Sequence, residues 1–450
     1  MDQVNYLDGN LLKKLLISGA NNLDKHRLIV NNLNVFPIPD GDTGDNMFMT
    51  IDHGVSEIKD FDETNIGLMS KKISRGMLFG ARGNSGVILS QIFRGLSDGL
   101  KDIEKANAVN LADAFINGYE RAYKMVVNPV EGTILTVAKN ASNKTKSEIN
   151  ENTSINEFFK IYLDHANVAL RETINQLDCL KKANVIDSGG AGYVYILEGM
   201  LKSFDNDVDF NKYISEYKFE REKYVTSMND DLKEYAIISV CNGDGLRELF
   251  TNIGCNYIID GGQTMNPSTE DFLRAFDLVN AKNIIVLPNN SNIILAAKQA
   301  KELYDKANVT IINSKTIAEG LSAMALVNYD EPSFIEDMEE AIKNVTTGEV
   351  TYAIRDAIID DVNITKGDFL AIINKKIVYK STDKYDCLKG LIEYEVKKDN
   401  KEIINVIFGK DVVEDDLLEF SDKLTTEIKD IEINAVAGMQ DVYSFIVAFE

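Results

Sequence analysis

Between Asn34 and Met47 the chain reads Asn-Val-Phe-Pro-Ile-Pro-Asp-Gly-Asp-Thr-Gly-Asp-Asn-Met, three carboxylates and two glycines in a bend set by two prolines. Asp40, Asp42 and Asp45 lie so close along the chain that their mutual repulsion calls for a cation. Oxygen ligands in a short stiff loop suit Mg²⁺, with phosphate completing the shell. Pro37 and Pro39 fix φ, and Pro39 also restricts Ile38 to extended backbone, so the loop is held before any metal arrives. Gly41 and Gly44 permit close backbone approach to a ligand. A solvated acidic turn is the plainer reading of the same residues. An EF-hand fails, because Gly44 stands where an oxygen ligand belongs and Ile51 replaces the closing bidentate Glu.

Three more loops carry residues suited to a phosphate. Gly80-Ala81-Arg82-Gly83-Asn84-Ser85-Gly86 precedes the apolar stretch Val87 to Leu96, so its amides would sit at the positive end of a helix dipole, with Ser85 adding a hydroxyl. A glycine-rich run of this kind is a weak signal alone, since tight helix packing produces it too. Pro129-Val130-Glu131-Gly132-Thr133 and Asp187-Ser188-Gly189-Gly190-Ala191-Gly192 have the same form, a small-residue loop leading into a helix. Each read alone is an N-cap or a hinge, with Asp187 or Ser188 capping. Their co-occurrence with the acidic loop favours a nucleotide pocket.

These loops need elements to hold them. Leu7, Leu11, Leu12, Leu15, Leu16 and Leu23 form a stripe at helical spacing, and Ile88, Leu89, Ile92, Phe93 and Leu96 form another. Further helices are expected over 110–127, 154–176 and 193–204, so the first domain, residues 1–204, reads as all-helical. A polar stretch over 205–232 reads as a linker, although Phe210, Tyr213, Tyr217 and Phe219 suggest that part of it docks. From residue 233 to 450 short β-branched runs alternate with helices, which argues for a parallel α/β sheet, with a smaller α/β portion in the last hundred residues. The expected strands are 235–240, 257–259, 284–288, 309–312, 369–379, 403–408 and 433–437, with helices over 293–303 and 414–429.

Composition narrows the function. A chain of 450 residues with 44% hydrophobic content is ample for two or three globular domains. A net charge of −23 disfavours nucleic acid, whose binding rests on clustered Lys and Arg. An anionic ligand must then be held locally, by metal or by backbone amides. Cys179, Cys241, Cys255 and Cys387 are scattered without metal-ligand or disulfide spacing, which points to a reducing, cytoplasmic compartment. No charged-then-apolar leader is read at the start and no apolar run reaches the ~18 residues of a membrane span, so the expectation is a protein neither exported nor membrane-inserted.

The motif blocks Asn34 to Met47, Gly80 to Gly95, Pro129 to Val137 and Val185 to Gly192, in this order, resemble those of the kinase subunit of the fatty acid kinase family. The first domain of that family is similar to the L subunit of dihydroxyacetone kinase. A second resemblance, to the family's DegV-like carboxy-terminal domain, rests on the runs 261–271, 287–293 and 315–321. It implies a barrel of eight antiparallel helices followed by an α/β domain that engages a separate fatty-acid-binding protein. It also implies ATP as phosphate donor and two Mg²⁺ ions held by three aspartates. Asp40 and Asp42 match two of these, as catalytic and metal-binding residues. Asn34 after Leu33 stands nearest the third, and Asp45 could restore its charge. Thr43 occupies the place of a family His. With Asn46, Gly83, Asn84, Ser85, Gly86, Thr133, Asp187 and Gly189, it forms the expected nucleotide-binding set.

The family's middle domain, with its His-x-His motif, has no counterpart here, since His26, His53 and His165 are the only histidines. The implied reaction is ATP-dependent phosphorylation of a partner-bound fatty acid. A carboxylate ionised at pH 7 needs no general base. One alternative is a small-ketone kinase of the dihydroxyacetone type, another a non-catalytic nucleotide-sensing scaffold, and a homodimer is left open.

Overall fold

The computed structural model describes residues 4–34, 41–204, 232–262, 265–354, 356–359, 362–398, 401–428 and 431–450. These form two compact units, chiefly the residues up to 204 and those from 232. The expected linker over 205–232 lies outside the described residues, apart from Leu232.

The first unit is helical: α1 (Gly9–Leu33), α2 (Thr43–Ser56), α3 (Ile66–Phe79), α4 (Gly83–Gly99), α5 (Ala108–Met125), α6 (Ile134–Glu148), α7 (Ile155–Glu172), a short α8 (Asp178–Ala183) and α9 (Ser188–Lys202). Side-chain caps start several of them. Asp8 accepts from Leu11 N at 2.9 Å, Asn65 from Leu68 N at 3.0 Å, and Asn107 and Asn110 exchange reciprocal bonds at the start of α5. Each long helix packs on the next, and α9 packs on both α7 and α1, which closes the eight long helices into a ring. Closure depends on small residues: a Cβ at Gly199 would lie 2.7 Å from Gly19 Cα. Inside, Phe115, Phe158, Phe159 and Tyr162 cluster, and the buried Tyr162 hydroxyl meets Tyr193 at 2.9 Å and Ser142 at 3.0 Å. Enclosed aromatic side chains of this size contribute on the order of 1.5–3 kcal/mol each, provided their polar ends are paired.

The second unit begins with four parallel strands, β1 (Lys233–Cys241), β2 (Tyr257–Asp260), β3 (Ala281–Leu287) and β4 (Asn308–Ile311), in the order β2-β1-β3-β4. Helices α10 (Asp244–Asn252), α11 (Thr269–Val279) and α12 (Ile294–Leu303) connect them, and α13 (Ile317–Ala325) and α14 (Phe334–Asn344) follow. A mixed six-stranded sheet comes next. It contains β5 (Thr346–Tyr352), β8 (Phe369–Ile373), β9 (Lys376–Ser381), β10 (Ile403–Phe408), β11 (Glu432–Ala437) and β12 (Tyr443–Phe449), in the order β11-β10-β12-β5-β8-β9. Between β5 and β8 the short strands β6 (Ala357–Ile359) and β7 (Val362–Ile364) pair with each other. Ile407, Tyr443 and Ile446 of the larger sheet share a core with Ile237 and Ile285 of the smaller one. Phe408, Phe445 and Phe449 share another with α15 (Lys384–Lys398) and α16 (Glu414–Glu427).

The all-helical unit followed by an α/β unit is the expected fold class. Sequence periodicity missed several elements. The run 369–379 is a hairpin, broken at Asn374 and Lys375, whose φ values of 50° and 66° make the tight turn. The strands β5 and β12 carry no regular alternation in their burial. Every residue of β12 is buried, so the polar alternation that marks a half-exposed strand is missing.

Candidate active site

Alternation around the ring puts the starts of α2, α4, α6 and α9 at one end, and hydrogen bonds tie these starts together. Ser188 Oγ, the first residue of α9, donates to Thr43 Oγ1, the first residue of α2, at 3.2 Å. Asn34, just past the end of α1, meets the same hydroxyl at 3.3 Å. Asp187 accepts from Gly190 N at 2.6 Å, which caps α9, and also from the backbone of Ile134, the first residue of α6. One carboxylate thereby joins two helix starts. Arg82 N, at the entry to α4, donates to Thr50 Oγ1 of α2 at 3.3 Å, and the Thr50 hydroxyl donates in turn to Asn46 O at 2.7 Å.

The first turn of α4 lies flat against α2. A Cβ at Gly86 would overlap Thr50 Oγ1 and come within 3.1 Å of Asn46 O, so only glycine fits there. Gly83 has φ of 56°, a left-handed start that aligns the following amides with the helix axis. Asn84 and Ser85 are half-buried between these two glycines. Four helix N-termini on one rim give a field that favours an anion, each worth roughly 0.3–1 kcal/mol near a surface.

The acidic residues separate. Asp40 lies outside the described residues, with the rest of 35–40. Asp42 occupies the N-cap position of α2 without capping that helix through its side chain. Asp45, in the first turn of α2, has both oxygens engaged: Oδ1 faces Arg27 Nε at 3.2 Å and Oδ2 accepts from Asn31 Nδ2 at 2.8 Å. Asn31 Oδ1 in turn accepts from Gly44 N at 2.7 Å. Neither Arg27 nor Asn31 belongs to the site residues expected from the sequence. The available signal was their spacing, one turn apart on the last turns of α1, where they face the acidic loop.

Burial pushes the Asp187 carboxyl up to about 6, opposed by the amides of Gly190 and Ile134. The residue keeps some surface exposure while the carboxyl itself is surrounded by protein. Thr133, at the N-cap of α6, donates to Val130 O at 2.9 Å, and Gly189 packs beside Ile134. The preceding loop is fixed by Glu131, which accepts from Tyr123 at 3.0 Å, Thr136 at 2.7 Å and Lys139 at 2.9 Å. Those donors hold the Glu131 carboxyl below its ordinary range against the opposing effect of burial.

Comparison with known proteins agrees with this division of the chain. Residues 37–202 match the DAK2 domain, and residues 236–450 match the FakA-like C-terminal domain of fatty acid kinase. Protein YloV of Bacillus subtilis is 32% identical, with 99% of each chain covered. The chain belongs to the FakA-like fatty acid kinase family. A further relative, an uncharacterized protein of Staphylococcus haemolyticus, is 33% identical over 99% of this chain and 100% of its own. The alignment with the Bacillus relative runs over 550 positions against 450 residues here, so at least 100 of its positions face gaps in this member of the family. Among solved structures, a fatty-acid-binding DegV family protein from Thermus thermophilus matches 48% of this chain and 99% of its own, at 10% identity and a TM-score of 0.33. Dihydroxyacetone kinase from C. freundii, in complex with AMP-PNP and Mg²⁺, matches 49% of this chain and 50% of its own, at 14% identity and a TM-score of 0.35. Among the described residues no helix of this FakA-like family member is long and apolar enough to cross a membrane.

Proposed function

We propose that this protein is an ATP-dependent kinase component that phosphorylates a fatty acid presented by a separate fatty-acid-binding protein, giving an acyl phosphate. The observation that carries this reading is the convergence of the starts of α2, α4, α6 and α9 on one rim, joined through Ser188, Thr43 and Asp187. Such a rim receives triphosphate oxygens on backbone amides, with Gly83 to Gly86 as the phosphate loop and Thr43, Asn46, Thr133 and Gly189 around it.

The donor set fits Mg²⁺. Asp42, the side-chain oxygen of Asn34 and the Thr43 hydroxyl are hard oxygen donors grouped at the start of α2, and Asp40 would add the second carboxylate. We assign the metal, two ions as in the resemblance, to Asp40 and Asp42 with Asn34. Asp45 is assigned the different task of fastening α2 to α1 through Arg27 and Asn31. When bound, Mg²⁺ neutralises phosphate charge that a protein of net charge −23 would otherwise repel. Asp187, occupied with two amides, acts on the nucleotide through the position of α6 and α9.

A fatty acid carboxylate is already an anion at neutral pH, so alignment and charge neutralisation suffice for attack on the γ-phosphorus. The carboxylate oxygen forms a bond to phosphorus as the bond to the ADP oxygen breaks, and no proton moves. The α/β unit is proposed to dock the lipid-carrying partner. The test is ADP release with ATP, Mg²⁺, oleate and a cognate binding protein, alongside trapping of the product as an acyl hydroxamate. Lipid-dependent ADP and hydroxamate are the expected result. Turnover of dihydroxyacetone instead, or tight nucleotide binding with no transfer, would overturn it.

A further inference from the structure

The helical ring carries a groove that the nucleotide rim does not use. It lies between α3 and α4, shares no residue with the rim, and holds about 510 Å³, within the ~300–1,000 Å³ of pockets that take small organic molecules. Ser70 Oγ donates to Ser97 Oγ at 3.4 Å, and a Cβ at Gly67 would lie 2.8 Å from Leu100 O. The two helices therefore run antiparallel, with residue 70 opposite 97 and residue 67 opposite 100. Leu68, Lys71, Arg75 and Leu78 line the groove at helical spacing from α3, and Arg94, Asp98 and Lys101 from α4 and the turn after it. By this register Arg94 stands level with residue 73, between Lys71 and Arg75. Three cations fall within about 6 Å along the helix axis, and Lys101 stands roughly one and a half turns away toward the start of α3.

Charge makes this lining an exception. The chain carries 71 acidic against 48 basic residues, so a cation on it meets carboxylates readily. Lys72, for instance, pairs with Glu57 at 3.7 Å. Among the described residues Lys71 and Lys101 nevertheless form no ion pair, and Arg75 rests on the Phe79 ring at 5.5 Å instead. Of the two acids in the lining, Asp98 is matched by Arg121 Nη1 at 2.9 Å, which leaves Asp102 alone to answer the cations. Like charges held this close repel one another, and an anion seated among them relieves that repulsion.

The rest of the lining narrows the anion. The planar guanidinium groups of Arg75 and Arg94 suit phosphoryl oxygens, which they grip through paired N–H bonds. A phosphoryl group of about −1.5 to −2 also answers more positive charge than one carboxylate does. No aromatic side chain lines the groove, so a nucleobase has nothing to stack on. An acyl chain finds only Leu68 and Leu78. Asn65, Ser74 and Asp102 offer oxygens that accept from hydroxyls.

We propose that this groove binds a sugar bisphosphate, with Lys71, Arg75 and Arg94 on one phosphoryl group, Lys101 on the other, and Ser74 and Asp102 accepting from sugar hydroxyls. The site stands apart from the kinase reading and does not rest on it. The test is isothermal titration calorimetry of the full chain with fructose 1,6-bisphosphate at about 0.15 M salt, where exposed charges more than ~8 Å apart are screened. One site per chain is expected, with the same affinity when AMP-PNP and Mg²⁺ are present at saturation, and at least tenfold tighter than inorganic phosphate. Both lysines and Arg75 are exposed, so their substitution leaves the helices packed. Lys71→Gln with Arg75→Gln should weaken the bisphosphate at least tenfold, and Lys101→Gln at least threefold, with an unchanged thermal melt. Lys282→Gln with Lys306→Gln removes the same charge from the α/β unit and should leave binding unaltered. No saturable binding, displacement by AMP-PNP, equal affinity for inorganic phosphate, or equal weakening by the two double variants would each overturn the proposal.

Discussion

The rim of the helical ring and the carboxyl edge of the parallel sheet in the α/β unit are both built where loops leave regular elements, yet they handle polar groups in opposite ways. At the rim Ser188, Thr43, Asn34 and Asp187 bond to one another or to helix amides, and Asp45 is neutralised by Arg27. The side chains hold the scaffold, and in the proposed function a charged ligand is left to amides and metal. Beside the sheet edge Asn290 and Gln440 each use one end of the amide to fix their own orientation and leave the other enclosed and unpaired. Mutual pairing suits a site whose ligand brings its own cations. An unpaired amide atom enclosed by protein meets no ligand, and it lowers stability by about 1–3 kcal/mol.

The largest effect expected from breaking this contrast is at Asp42. Asp42→Ala should lower lipid-dependent ADP release at least 100-fold and abolish the Mg²⁺ dependence of ATP affinity, with the helical circular dichroism unchanged. Unchanged nucleotide affinity would remove Asp42 from the metal set. Next is Gly86→Ala, where the added methyl overlaps Thr50 Oγ1. Overpacking of this kind costs about 1–3 kcal/mol, and nucleotide affinity should fall roughly tenfold, both readable from urea unfolding and ATP titration.

Asp45→Asn sharpens the division among the acids. It removes the Arg27 ion pair, with a stability loss of about 1 kcal/mol or less, and should leave Mg²⁺-dependent ATP affinity within a few-fold of the parent. Loss of Mg²⁺ dependence would make Asp45 a ligand after all. The smallest effect is at Asp187, and it depends on pH. Its folded value, about 6, lies above the ordinary 3.8, so the folded state holds the proton more tightly. Stability contributed by the protonated form is complete below about 4 and is lost as pH rises toward 6. Asp187→Asn should abolish that slope, so the stability of the variant relative to the parent rises between pH 4 and 6 and then levels off. A constant difference across that window in urea unfolding would show that the carboxyl is not enclosed.

Much of the helical unit was legible because its apolar residues recur at helical spacing and its loops carry glycine or capping residues, as Asp187 does for α9. Less of the α/β unit was. β12 is buried along its whole length and β5 alternates weakly, so neither shows the period of a half-exposed strand. The hairpin of β8 and β9 turns on Asn374 and Lys375, a pair in which Lys gives no turn signal. Within the candidate site, the acidic loop and the Gly80 to Gly86 loop stood out by residue type. The partners of Asp45 did not, since Arg27 and Asn31 are ordinary helix residues until α2 is folded back against them.

By itself the sequence determined the fold class, the succession of four small-residue loops and the family resemblance, because these depend on local periodicity, turn chemistry and residue order. Tertiary structure alone decided which acid is spent and which polar atom is not. Asp187 accepts from the backbone of Ile134, Ser188 donates to Thr43 and Asn31 donates to Asp45, pairs that lie 14 to 145 positions apart along the chain. No spacing rule reaches that far. Whether a carboxylate or an amide remains available to a ligand depends on what the rest of the chain brings beside it.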